Sequence, residues 1–192
     1  MAKAVTLHAV KVLGDNGSGS TFGITNSMNW VGRKAIRPAV ASMSLGGGFS
    51  QALNDALDSI VEAGIVVVTA SGNENTDACR KSPGSAPLSI NVGATNPADE
   101  RAVFSNYGNC INIWAPGRDV LSTVATGDTD SKKYSGTSMA CPHVSGAAAL
   151  LLSASPSLTP EQVLSAVVAA ATPDVVKDAK TGSPNLLMYS SP

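Results

Sequence analysis

Charge is scarce in this chain. Only 14% of its 192 residues are Asp, Glu, Lys or Arg, against roughly 25% in an ordinary globular domain, and the net charge is −1. Such a surface has no basic field for nucleic acid or an anionic membrane, so neither is expected as a partner. Long hydrophobic runs are missing as well. The longer apolar runs, such as "GIVVV" and "GAAALLL", fall far short of the ~18 residues a membrane span needs. Lys11 and His8 interrupt the only apolar stretch near the start, so no secretory leader is read there. Cysteine is limited to Cys79, Cys110 and Cys141, too few for a disulfide scaffold and at spacings that match no zinc motif. Three unpaired buried thiols and one pair with a leftover thiol are both compatible with composition. Histidine occurs only twice, which narrows any search for a general base.

What is present is an alternation of apolar runs with polar, glycine-rich breaks. "AVTLHAVKVL" reads as a strand buried on both faces. "GDNGSGS" ends it, and Ile24, Met28 and Val31 then recur at helical spacing behind Ser20 or Thr21 as cap. "AVASMSL" reads as a second buried strand, ending in "GGG". Ser50 can cap the next helix, whose Leu53, Leu57, Ile60 and Val61 form one stripe before Gly64 stops it. "IVVVTA" is a third strand. This order predicts right-handed βαβ units on a parallel sheet, an α/β fold with helices on both faces. Shorter strands follow at "SINVGA", "INIWAP" and "VLSTV". Two helices close the chain, one from about Ser138 to Ala154, the other opened by Thr159, Pro160 and Gln162 as a capping box. No linker divides the chain, so residues 1–192 are read as one domain.

In an open parallel sheet, ligands collect beyond the carboxyl ends of the strands. Three such ends are polar and glycine-rich here: "NGSGS", "SLGGG" and "TASGN". Together with "SGTSMA" they outline one site. Ser138 falls at a helix N-terminus, where free amides and the helix dipole favour an anion. Asn73 ends the third strand, and its side-chain amide can join the Ser138 N–H in holding the oxyanion of a tetrahedral intermediate. A base is harder to find. His143 follows Ser138 by five positions, roughly 7.5 Å of rise and ~140° of rotation on a helix, so the two side chains diverge. His8 lies in the first apolar run and reads as a hydrogen-bonded core histidine. Neither can act on Ser138. An α/β-hydrolase is excluded, because its elbow serine is followed by Asp and then His.

The motifs "GTSMACPHVSGAAALLL", "AVASMSLGGG", "VVTASGNEN", "FSNYGN" and "GSPNLLMYS" closely resemble the subtilisin-like serine proteases, in the branch containing proteinase K and aqualysin. The resemblance runs from Lys3 to Ser190. It implies a three-layer fold with a mostly parallel sheet, Ser138 as nucleophile and Asn73 as oxyanion donor. It implies that Gly17, Ser18 and Gly19 on one side, and Ser44, Leu45 and Gly46 on the other, clamp an extended peptide. Ala70, Ser71 and Gly72 would line the primary specificity pocket, giving a broad preference. The same resemblance implies a Cys79–Cys110 disulfide with Cys141 free, and hence a secreted setting. It requires no cofactor. Structural calcium would use the carbonyls of Pro87 and Ser89, weakened by Asn112 where an Asp is usual.

The resemblance also implies an absence. Family members carry an Asp-bearing strand and a "HGTH"-type helix that supply the triad's acid and base, and neither motif occurs here. The N-terminal strands and helix of the fold are therefore expected to be missing. The chain is read as an incomplete peptidase domain, near-inactive alone, with a pseudoprotease that binds peptide or a partner protein as the alternative. The partners implied are a peptide or protein substrate, and either a missing N-terminal segment or a second copy meeting an exposed apolar sheet edge.

Overall fold

The computed structural model describes residues 1–190. Helix α1 (Thr21–Lys34) starts where Ser20 Oγ accepts the Gly23 N–H. Strand β1 (Val40–Met43) and the short β2 (Gly47–Gly48) follow, then helix α2 (Gln51–Glu62), capped by Ser50. Strand β3 (Val66–Ala70) leads through a 3₁₀ turn (Ala78–Arg80) to β4 (Lys81–Ser82) and β5 (Ile90–Thr95). Strand β6 (Ile113–Pro116) precedes a hairpin of β7 (Val120–Thr123) and β8 (Ser131–Tyr134). Helices α3 (Thr137–Ala154) and α4 (Pro160–Ala170) come next, followed by β9 (Thr172–Pro173) and β10 (Leu186–Leu187). Thr159 and Gln162 form the reciprocal capping box that opens α4.

The main sheet has the order β1-β3-β5-β6-β10-β9. All its pairs are parallel except β9 with β10. Period-2 alternation on β3 divides the core in two. Val66, Val68 and Ala70 pack with Val144, Ala148 and Val163 of α3 and α4, whereas Ile65 and Val67 pack with Met28 of α1 and Leu57 of α2. Helices thus cover both faces in three layers, as expected for an α/β fold. Each fully buried aliphatic side chain contributes roughly 1.5–3 kcal/mol, more than the ~0–1 kcal/mol of an exposed ion pair. The layers therefore hold the fold. Close packing fixes one glycine: a Cβ at Gly93 would enter the ring of Trp114 on the paired strand.

The first apolar run departs from expectation. Residues 4–13 form no strand, and Val5, Leu7, His8 and Val10 are exposed. His8 is therefore not a core histidine. A strand needs a neighbour to satisfy its amides, and among the described residues β1 ends the sheet with no strand beyond it. As an edge, β1 is only half-buried rather than covered on both faces. The exposed Phe22, Trp30 and Ile36 lie in and just after α1.

The Cys79–Cys110 disulfide is formed, and Cys141 is free and buried. Burial pushes the Cys141 thiol pKa up, outweighing hydrogen bonds from Ser42, Ser44 and Ser145. Among the described residues no helix is long and apolar enough to cross a membrane.

Candidate active site

The carboxyl ends of β1 and β3 open into a cleft of about 440 Å³, closed by the start of α3. Every residue that the sequence pointed to for catalysis or peptide binding lines it: Gly17, Ser18 and Gly19 on one wall, Ser44, Leu45 and Gly46 on the other. Ala70, Ser71 and Gly72 lie between, with Asn73 and Ser138. The wall at Gly17–Gly19 belongs to a tight turn. Gly17 has φ +75°, and the Gly14 N–H donates to the Ser18 carbonyl at 2.8 Å.

Ser138 is not the helix cap. The N-cap is Gly136, with no side-chain bond, and Ser138 lies within the first turn of α3. Its amide is one of those a helix leaves without an intrahelical acceptor, and it faces the same end as the positive pole of the helix dipole. The preceding residue, Thr137, is fully buried and sets the neighbouring amide. Thr137 donates to Asn73 Oδ1 from its backbone N–H at 2.8 Å and from its hydroxyl at 3.0 Å. The Thr137 hydroxyl accepts in turn from the Gly72 N–H at 3.1 Å. Two donors on Oδ1 fix which way the Asn73 amide is turned, leaving Nδ2 as its remaining donor.

The loop that carries Asn73 is itself anchored by Asn106, which is fully buried. Asn106 Oδ1 accepts from the N–H groups of Glu74 and Thr76, while Nδ2 donates to the Ser71 carbonyl and to Glu74 Oε2. This close approach demands glycine at position 72, where φ is +98° and a Cβ would strike Asn106 and Glu74. Glu74 also pairs with Lys81 Nζ at 3.1 Å on the cleft wall. Burial raises the Glu74 pKa, but bonds from Asn106 and Lys81 and the Lys81 charge outweigh it, so the carboxyl stays below its ordinary value.

Neither histidine lines the cleft. His143 Nδ1 lies 2.8 Å from the Met139 carbonyl, which can only accept, so the ring donates there along its own helix. The proposed calcium ligands fit poorly. Asn112 Oδ1 already accepts the Asn91 N–H at 2.7 Å, and a neutral amide with two carbonyls supplies no anionic ligand to a hard dication.

Sequence reasoning missed Thr137, Asn106 and the hydroxyl of Ser44. Asn106 stood inside "FSNYGN" and Thr137 beside Ser138, but their partners lie 30–35 and 64–65 positions away, a pairing no local pattern displays.

A mostly parallel α/β sheet with a serine in the first turn of a helix, and a locked asparagine amide beside it, is an arrangement on which serine-nucleophile hydrolysis can be built. The sequence model of the subtilase family matches residues 1–187, and the chain belongs to that family. It is 51% identical over 190 residues to an extracellular serine proteinase of Thermus sp. (strain Rt41A), covering 99% of this chain and 46% of that protein. A cuticle-degrading serine protease of Arthrobotrys oligospora is 48% identical over 192 residues, covering 99% of this chain and 47% of that one. The crystal structure of a cold adapted subtilisin-like serine proteinase superposes with a TM-score of 0.91 at 42% identity, covering 95% of this chain and 66% of its own. The chain thus spans about half the length of these curated relatives.

Proposed function

We propose that this chain carries the nucleophile and oxyanion half of a serine endopeptidase. Ser138 Oγ attacks the scissile carbonyl, and Asn73 Nδ2 with the Ser138 N–H receives the oxyanion of the tetrahedral intermediate. Collapse expels the amine and leaves an acyl-enzyme, which water then hydrolyses. The peptide backbone lies extended between Gly17–Gly19 and Ser44–Gly46. The observation that carries this reading is the lock on Asn73, whose Oδ1 is held by both donors of Thr137.

Proton transfer needs a base, and neither imidazole lines the cleft. We therefore assign the acid and base to a further segment, joined to this chain or supplied by another. The described chain alone is then nearly inert. Loss of the triad in subtilisin, a relative, costs about 10⁶ in turnover and leaves roughly 10³–10⁴ over water. The same absence favours a second reading, a pseudoprotease that binds peptide or a partner protein in the cleft without cleaving it. The relatives' names and the disulfide favour an extracellular setting.

A fluorophosphonate probe separates the readings. Slow labelling at Ser138, abolished by Ser138→Ala and slowed by Asn73→Ala, supports the enzyme. A correctly folded chain that binds peptide and takes no label supports the pseudoprotease.

A further inference from the structure

Pro142 lies inside α3, four positions after Ser138. In an α-helix the amide at that position donates to the Ser138 carbonyl. Proline has no N–H, and its ring crowds the carbonyl it should meet. That carbonyl is not left alone: Ser44 Oγ donates to it at 2.9 Å, across 94 positions of sequence. The two residues also approach in the other sense, with Ser138 Oγ 3.4 Å from the Ser44 carbonyl, too long for a strong O–H···O bond.

We infer that Ser44 is a positioning residue for the nucleophile. Its hydroxyl replaces the helical bond that Pro142 removes, and so fixes the peptide plane leaving Ser138 and the direction in which Oγ projects. Through Asn73, the Thr137 N–H also pins the Gly136–Thr137 peptide plane, so the backbone is anchored one plane before the serine's own and again just after it. Ser44 also stands on the cleft wall beside Leu45 and Gly46. Peptide seated against that wall therefore bears on the nucleophile's own backbone. This inference rests on the proposed reading of Ser138 as nucleophile, but its hydrogen bond can be tested apart from reactivity.

The experiment compares wild type, Ser44→Ala, Ser44→Thr, Pro142→Ala and the Ser44→Ala/Pro142→Ala double variant. Each is followed by the rate of fluorophosphonate labelling at Ser138 and by the ¹³C carbonyl shift of Ser138. Ser44→Ala should slow labelling about tenfold, the effect of losing one hydrogen bond, and move the carbonyl resonance upfield. Ser44→Thr, which keeps a hydroxyl, should recover most of both. In the Pro142→Ala background the alanine N–H supplies the bond, so adding Ser44→Ala should slow labelling less than about threefold. An Ser44→Ala carbonyl shift identical to wild type overturns the inference, as does an undiminished loss in the Pro142→Ala background. If the folded wild type takes no label at all, the nucleophile reading fails. The carbonyl shift alone then decides whether Ser44 holds Ser138.

Discussion

Thr137 grips Asn73 Oδ1 with its amide at 2.8 Å and its hydroxyl at 3.0 Å, so the residue before Ser138 sets which way the Asn73 amide is turned. The start of α3 and the loop carrying Asn73 are therefore one mechanical unit. Thr137→Val keeps the shape but removes the hydroxyl, leaving the backbone N–H at position 137 as the one donor of the pair on Asn73 Oδ1 and the Gly72 N–H without its acceptor. Fluorophosphonate labelling of Ser138 should fall about tenfold in Thr137→Val, consistent with one lost bond. It should fall about 10²–10³-fold in Asn73→Ala, the range found for one oxyanion donor in subtilisin itself. Equal labelling of wild type and Asn73→Ala would remove Asn73 from the site.

Asn106 should matter for stability more than its uncharged side chain suggests. Asn106→Ala leaves the part-buried N–H groups of Glu74 and Thr76 and the buried Ser71 carbonyl without their partner, each with a desolvation penalty of up to about 1–3 kcal/mol, partly relieved by water. A net loss of about 2–4 kcal/mol is expected. Calorimetry should show the midpoint falling by roughly 4–16 °C at 2–4 °C per kcal/mol for a chain of this size. A shift of less than a degree would show that the loop stands without it.

The disulfide should contribute through the loop it closes. Cys79 and Cys110 are 31 positions apart, which in the chain-entropy account gives roughly 3–4 kcal/mol. Cys79→Ser/Cys110→Ser should lower the denaturant midpoint by a corresponding amount in urea. An unchanged midpoint would show that the loop is already confined in the unfolded chain.

Acid should weaken the cleft at Glu74. Its folded pKa is depressed, so its contribution is fully present above the unfolded value of about 4.3 and is lost as pH falls through the lower folded value. The side chain is 51% exposed, so screening keeps the effect small. Wild type should lose stability relative to Glu74→Gln as the pH falls below the unfolded value of about 4.3. Parallel curves for the two proteins over that range would exclude Glu74 as the titrating group.

Ser71 presents the opposite case. It is fully buried, and its Oγ has no hydrogen-bond partner among the described residues. Ser71→Ala should thus be neutral or stabilise by up to about 1–2 kcal/mol, read by the same denaturant titration. A clear loss of stability would mean that the hydroxyl is satisfied by bound water.

Short-range chemistry was legible in the sequence. Ser20, Ser50 and Thr159 cap the helices expected of them, because a cap bonds within its own first turn. Ile65–Ala70 announced a buried strand by an apolar run that only a two-sided core accepts. Residues 4–13 carry the same signal and form no strand, since composition records a preference for burial but not whether a neighbour is there to provide it. Ser138 and the wall at Ser44–Gly46 could be placed because strand ends converge in a parallel sheet, whereas the Gly17–Gly19 wall lines the cleft with no strand before it. The bonds that tune them could not, because Asn106, Thr137 and Ser44 each reach partners dozens of positions away.

Those separations have a kinetic consequence. Residue 44 meets residue 138 across 94 positions, and residue 73 meets residue 137 across 64. Contacts so distant in sequence form late, after most of the loop-closure entropy has been spent. A nascent or half-folded chain therefore has a serine but no site around it. If Ser138 takes the probe as proposed, its labelling doubles as a reporter of completed folding.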